Sequence, residues 1–325
     1  MTWWWWRSRL PFAVIMLETV TGVTRKYPGT ILIGVAGLII QVAYSVWWVI
    51  TVVGAFQLFD SSANCTTIDP RTRQPNCTNY ALIGIMLFLV FSFYWTSQVI
   101  KTVGHVTVSG VFATFYFLEG TPMASKSPTF SALGRALTTS FGSICFGSLI
   151  IAVIQTIKAI LRSLANDTDS ACGAFMAMCA VCFLDCIEGL VEYFNHYAYT
   201  EVAIYGKPFC EAAKDTWRLI KDRGVEGNVL GMGIILIGAI TALFSYAYVE
   251  WVKPTFNAGG NYTVVLVLIC FLLGIMMATI VANVIDSGVA TTFVALAEDP
   301  DALRRTKPEL YQRIVQTWPQ IAVGV

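Results

Sequence analysis

The sequence predicts an all-α fold: a polytopic transmembrane helix bundle with six crossings and both termini cytoplasmic. Three observations predict it. Of 325 residues, 56% are hydrophobic and only 13% charged, against about 25% charged in soluble domains, so a water-soluble fold would leave apolar surface uncovered. Five runs hold no Asp, Glu, Lys or Arg and exceed the roughly 20 residues that cross a hydrocarbon core. The basic residues, finally, concentrate in alternate connections, as the enrichment of Lys and Arg in cytoplasmic loops requires.

Residues 1–28 read as a cytoplasmic or interfacial segment. Trp3 to Trp6 followed by Arg7 and Arg9 lacks the charged-then-apolar order of a cleavable signal peptide. Leu10 to Val23, with Glu18 as its only charge, is too short to span and reads as a helix on the inner leaflet, or as the stub of a connection from spans absent here.

The membrane domain covers residues 29–298, with spans near 29–58, 80–118, 136–158, 171–205, 229–249 and 262–286, and a cytoplasmic tail follows from 299 to 325. The fourth of these carries Asp185, Glu188, Glu192 and Glu201 and scores poorly by hydropathy; the connections on either side require it to cross. The second runs 39 residues, interrupted only by Lys101 and His105, and would be about 58 Å long as one helix, enough for one crossing or two. Lysine and arginine decide between them: one crossing places 15 inside and 5 outside, whereas two crossings invert every later loop and give 8 inside and 13 outside. The sequons agree with one crossing. Asn64, Asn76, Asn166 and Asn261 each open an N-x-[ST] triplet in a loop placed outside. Asn64 and Asn166 stand far enough from the membrane to be glycosylation sites.

The same composition excludes several functions. A net charge of +1 leaves no electrostatic footprint for nucleic acid. Two histidines, and no HExxH, GxSxG, GxxxxGK[ST] or GxGxxG pattern, give no catalytic residues, no metal site and no cofactor or nucleotide motif, so the chain is not read as an enzyme. Cys172, Cys179, Cys182 and Cys186 have metal-like spacing, but small weakly polar residues also pack membrane helices closely, and no histidine accompanies them. Ser143 with Gly147, and Gly231, Gly233 and Gly238, read as close helix packing, the last three alternatively as a hinge. Cys65 and Cys77 share the first outside loop, where an oxidising compartment favours a disulfide over two free thiols.

Several segments carry a resemblance. Tyr94-Trp95-Thr96-Ser97-Gln98-Val99-Ile100-Lys101, His105-Val106-Thr107 and Gly142 to Leu149 are similar to signatures of the choline transporter-like family. Tyr193 to Tyr199, Ile204 to Lys207, Ala212 to Asp215, and Thr292 to Asp299 extend the match over nearly the whole chain. The wording of these motifs resembles most the fungal and lower-eukaryote, pH-nine-sensitive branch. The resemblance implies a ten-helix plasma-membrane protein with both ends cytoplasmic, associated in animals with transport of choline and related amines. This chain matches about the last six of those helices, as a fragment or truncated gene model would.

Ionisable residues within spans are costly and mark candidate pathways. Asp185, Glu188 and Glu192 are spaced i, i+3, i+7 and project from one helix face, as a cation pathway or a wet helix end would require. For the quaternary ammonium that the resemblance implies, ring faces are the natural holders; Tyr94, Trp95, Tyr193 and Tyr197 are the candidates, with ordinary packing as the competing role. Trp47 and Trp48 sit mid-span and read as packing residues. Lys101 sits one turn before His105, where the helix breaks around a cavity, Lys101 pairs with an intramembrane carboxylate, or it snorkels to the inner edge. Asp286 is a further candidate partner. Beyond the spans, 207–224 is amphipathic, with Phe209, Ala213, Trp217 and Ile220 toward the membrane; Asp299-Pro300 caps a short turn, and Thr306 to Glu309 reads as a capping box opening a last helix.

The expected function is movement of a small solute, choline or a related organic cation among the candidates, without ATP, by a multi-pass plasma-membrane protein whose partners are that solute and membrane lipids. The alternative is a non-transporting membrane scaffold, or a fragment that works only with the missing N-terminal helices.

Overall fold

A computed structural model describes residues 10–60, 67–68, 75–76, 80–122, 125, 127–167, 171–223, 229–252 and 262–317. Its helices are α1 (Leu10–Lys26), α2 (Gly29–Asp60), α3 (Tyr80–Leu118), α4 (Pro128–Leu137), α5 (Phe141–Asp167), α6 (Ala171–Tyr205), α7 (Phe209–Arg223), α8 (Val229–Val252), α9 (Thr263–Glu298), α10 (Pro300–Thr306) and α11 (Pro308–Thr317). A two-residue antiparallel ladder joins β1 (Thr67–Ile68) to β2 (Pro75–Asn76), with Thr67 opposite Asn76. Cys65, Cys77, Asn64 and the Trp3 to Trp6 run lie outside the described residues, as does the side chain of Asn166, whose backbone is in the last turn of α5.

Among the described residues, five stretches are long and apolar enough to cross a membrane: Gly29–Phe59, Ala81–Leu118, Phe141–Ala165, Ile234–Val252 and Thr263–Glu298. Their outward faces carry large apolar side chains, among them Trp47, Ile50, Phe244 and Met277, a surface that only lipid or further helices can cover. The chain is a multi-pass, all-α membrane protein. α6 is as long as these at 35 residues, and it differs from them in carrying four acidic side chains, Asp185, Glu188, Glu192 and Glu201.

α3 runs unbroken past Lys101 and His105. The third predicted span begins later than 136, because the chain breaks between α4 and α5: the backbone N–H groups of Thr138 and Ser140 both return to the Arg135 carbonyl, and α5 starts only at Phe141. Ala136 therefore belongs to α4, which opens on Pro128, a residue preset for a first helical turn. Gly206 ends α6 at φ +67°, a left-handed conformation that glycine adopts without a side-chain penalty, and turns the chain into α7.

Close packing follows the small residues. A Cβ on Gly274 would fall 2.5 Å from the Thr241 hydroxyl, and one on Gly238 would fall 2.7 Å from Ile275, so α8 and α9 cross at near-backbone contact. Gly147 likewise leaves no room against Tyr199 and Phe209. Trp48 packs on Phe93 and donates its indole N–H to the Leu89 carbonyl at 2.9 Å, while Trp47 faces outward.

Burial concentrates where the C-terminal end of α3 meets α1, α9, α10 and α11. Ile15 of α1, Tyr116 of α3, Leu296 of α9, Leu303 of α10 and Ile314 of α11 form one cluster, and Val20, Val23, Val108, Phe112 and Val284 form another. α9 continues three turns beyond residue 286 because those turns are packed under α1 and α3 rather than ending at the membrane surface. Asp299 caps α10 by accepting from the Ala302 N–H at 3.0 Å. Thr306 does not cap α11: its hydroxyl is turned to the Ala302 and Tyr116 carbonyls instead. On α7, Phe209, Ala212, Thr216 and Leu219 are buried against the protein, while Trp217, expected to face the membrane, is exposed.

Candidate functional site

A cavity of about 650 Å³ opens between α2, α3, α6 and α9. Its volume comes from glycines on three helices: a side chain at Gly37, Gly104 or Gly189 would meet nothing within 4 Å. Its polar lining comes from helical spacing. Lys101 and His105 are one turn apart on α3; Glu192, Tyr193, His196 and Tyr197 form one stripe of α6; Asn283, Asp286 and Ser287 do so on α9.

Within it, Lys101 Nζ lies 3.6 Å from Glu192 Oε1, and His196 Nε2 lies 3.4 Å from Asp286 Oδ2 without the alignment of a hydrogen bond. The two histidines of the chain stack on each other, ring centroids 4.2 Å apart. Tyr193 meets Tyr197 edge to face at 5.3 Å, and His196 stands edge-on to Tyr197 at 5.5 Å. His105 is held on both ring nitrogens, 2.7 Å from the Ser287 hydroxyl and 3.0 Å from the His196 carbonyl. A carbonyl only accepts, so in the neutral ring Nε2 carries the proton and Nδ1 is the acceptor facing the Ser287 hydroxyl, which also reaches the Asn283 carbonyl at 2.8 Å. With both imidazoles neutral, Lys101, Glu192 and Asp286 leave the lining with a net charge of −1. The arrangement can hold a small cation between two carboxylates and a pair of phenol rings.

Of the residues singled out in the sequence, Glu192, Tyr193, Tyr197, Lys101 and Asp286 line this cavity. Four do not. Asp185 and Glu188 both bond to Lys158 of α5, Arg162 stands 3.7 Å from Asp185, and Gln155 donates to Glu188 at 2.7 Å. Trp95 donates to the Cys145 carbonyl at 3.1 Å, and Tyr94 meets the Phe93 ring edge to face. Cys179, Cys182 and Cys186 lie exposed as free thiols. Sequence reasoning missed His105 and His196 as a pair. The signal was present: both histidines of the chain fall inside apolar segments, where an ionisable group is rarely idle.

Just past the C-terminal end of α3, Glu119 bonds to both Lys26 and Lys307. Burial works against its charge, but the two ammonium groups outweigh it and hold the carboxyl below its ordinary range. Lys307 also donates to the Phe115 carbonyl at 3.1 Å and lies over the Phe115 ring; burial there pulls it down to about 8. Tyr116 donates to the Asp299 carbonyl at 3.1 Å, so α1, α3, α10 and α11 are tied together.

Residues 1–301 match the model of a family described as plasma-membrane choline transporter. The chain is 40% identical over 333 residues to protein PNS1 of Mycosarcoma maydis, covering 98% of this chain and 61% of that protein. Proteins PNS1 of Gibberella zeae and Eremothecium gossypii are each 36% identical, again over 98% of this chain and 60% of theirs. The chain thus spans about three fifths of the length of these relatives.

Proposed function

The chain belongs to the choline transporter-like family, and from that premise we propose that it forms the solute-conducting part of a plasma-membrane transporter for a small organic cation, choline being the first candidate. One observation carries the reading: the cavity between α2, α3, α6 and α9, whose lining has a net charge of −1 with neutral histidines and an edge-to-face pair of tyrosines. A quaternary ammonium donates no hydrogen bonds, so it is recognised by ring faces and by unspecific negative charge, which Tyr193, Tyr197, Glu192 and Asp286 supply. Glu192 is balanced by Lys101, whereas Asp286 faces only an imidazole at ion-pair distance. Asp286 is therefore the charge that an entering cation neutralises. Transport needs no nucleotide in this scheme; the gradient of the solute, or of a coupled ion, drives it.

Uptake of labelled choline by cells expressing the complete reading frame tests the proposal. Saturable uptake that Asp286→Asn strongly lowers at unchanged surface abundance is the expected result. Absence of uptake of choline and of every other small organic cation offered, from protein delivered to the surface, would reject it.

A further inference from the structure

A second cavity, of about 430 Å³, lies toward the C-terminal end of α3, between it, α4 and the α6–α7 turn. It shares no residue with the first. Its walls are mostly apolar, including Val106, Ala113, Phe117 and Val202, and its polar side chains are Arg135, Thr114, Tyr205 and, from the α4–α5 connection, Thr139 and Ser140.

Arg135 is the only charged residue of this lining. Its Nη2 is folded toward α3, 3.5 Å from where a side chain on Gly110 would begin. Among the described residues no carboxylate comes within salt-bridge distance of it, although Lys158, Lys207, Lys307 and Arg313 all find one. Arg135 is itself exposed, so its guanidinium is open to a ligand at the mouth of the groove, and its planar fork matches a phosphate in two parallel hydrogen bonds.

The setting of α4 says where that anion comes from. Ala132 and Ala136 pack against the protein, while Phe130 is 71% exposed, Leu137 50% and Phe141 39%. A ten-residue helix with such an outer face lies in the membrane interface, and the loop charge distribution places this end of the bundle at the cytoplasmic leaflet. We propose that the groove between α3, α4 and α6 binds an anionic phospholipid of the inner leaflet, its phosphate on Arg135 and the Ser140 hydroxyl, and an acyl chain along the apolar wall. This stands independently of the solute that the first cavity carries.

The test uses the full chain in nanodiscs of phosphatidylcholine with and without phosphatidic acid, the lipid retained after purification being read by native mass spectrometry. Phosphatidic acid is expected to stay bound in preference to phosphatidylcholine. Arg135→Gln lowers that retention by about fivefold, the factor a single basic group contributes at an anionic surface; Arg135→Lys keeps part of it, and Arg304→Gln, an exposed cytoplasmic charge, changes nothing. Ala203→Leu, which fills the groove and leaves Arg135 in place, also lowers it and covers the case of an Arg135 variant that fails to fold. Equal retention of the two lipids, or phosphatidic acid held as well by Arg135→Gln as by the parent, overturns the proposal. Displacement of the lipid by inorganic phosphate alone also overturns it, in favour of a free phosphate ligand.

Discussion

Lys101 reaches Glu192 across the seam between α3 and α6, Nζ to Oε1 at 3.6 Å, at the edge of the larger cavity. On the proposed function, an entering cation would compete with Lys101 for that carboxylate. Lys101→Met is therefore expected to tighten apparent choline affinity, and Glu192→Gln to weaken it, each by about two- to fivefold as befits a solvent-screened pair. The double variant should return toward the parent. Concentration-dependent uptake by the complete protein measures all three, and a Lys101→Met variant that loses affinity as Glu192→Gln does would show that the pair positions the helices instead.

Glu188 belongs to a different cluster. It bonds to Lys158, which also holds Asp185, and the Lys158 and Glu188 side chains are only 12% and 13% exposed. Lys158→Met leaves a partly buried carboxylate unpaired, at a cost of about 1–3 kcal/mol. It should lower thermal stability and surface abundance, while Glu188→Gln, which leaves Lys158 paired with Asp185, lowers them less. Detergent-solubilised thermal melts by size-exclusion fluorescence give the comparison. A loss of uptake in Glu188→Gln at parental stability and abundance would instead return Glu188 to the solute path.

These two clusters mark what the sequence could and could not disclose. Spacing correctly put Asp185, Glu188 and Glu192 on one face of α6. Depth is the missing coordinate: seven residues are about 10 Å of helix rise, so Asp185 and Glu188 meet α5 while Glu192 meets α3. Which neighbour lies at each depth follows from packing that no single helix encodes. Charge-free runs made α2, α3, α8 and α9 legible at once. α6 was harder, because its carboxylates are balanced by Lys101 and Lys158 on other helices, and hydropathy counts only the cost on α6 itself. The His105–His196 stack was legible only as two histidines in apolar segments; their contact requires α3 and α6 to be neighbours.

Just past α3, Glu119 has its carboxyl held below the ordinary range by Lys26 and Lys307. The folded state then binds fewer protons here than the unfolded one, so this contribution is complete at neutral pH and is lost as pH falls through the ordinary carboxylate range and below. Lys307 titrates near 8 and stays out of that acid limb. Protection of α10 and α11 against hydrogen exchange, relative to the intrinsic rate at each pH, is expected to fall on acidification, and Glu119→Gln to show the lower protection already at neutral pH. Exchange in Glu119→Gln identical to the parent at both pH values would remove Glu119 from the tie between α1, α3 and α11.

The ladder that pairs Thr67 with Asn76 brings the flanks of the outer loop together, two residues from Cys65 and one from Cys77. A bridge between these two cysteines closes a loop of the size for which about 3 kcal/mol of stabilisation is expected. Peptide mapping without reduction, on protein from the cell surface, should recover the crosslinked pair. Recovery of both peptides as free thiols would leave the ladder as the sole closure of that loop.

Glycine at 104 and at 189 offers the sharpest separation of path from scaffold. Both line the larger cavity, and a side chain at either would enter open space. Glycine within a helix costs about 0.5–1 kcal/mol relative to alanine, so an alanine there should stabilise the protein slightly. A leucine at the same position is accommodated by the helix but occupies the cavity, so Gly104→Leu and Gly189→Leu should abolish uptake with melting temperature and surface abundance at or above the parent. Gly274→Ala is the contrasting case: its methyl would meet the Thr241 hydroxyl at 2.5 Å, forcing α8 from α9 and lowering stability. Full uptake in both leucine variants would place the solute path elsewhere in the bundle, because no small cation could share so reduced a cavity with a leucine side chain and pass at the parental rate.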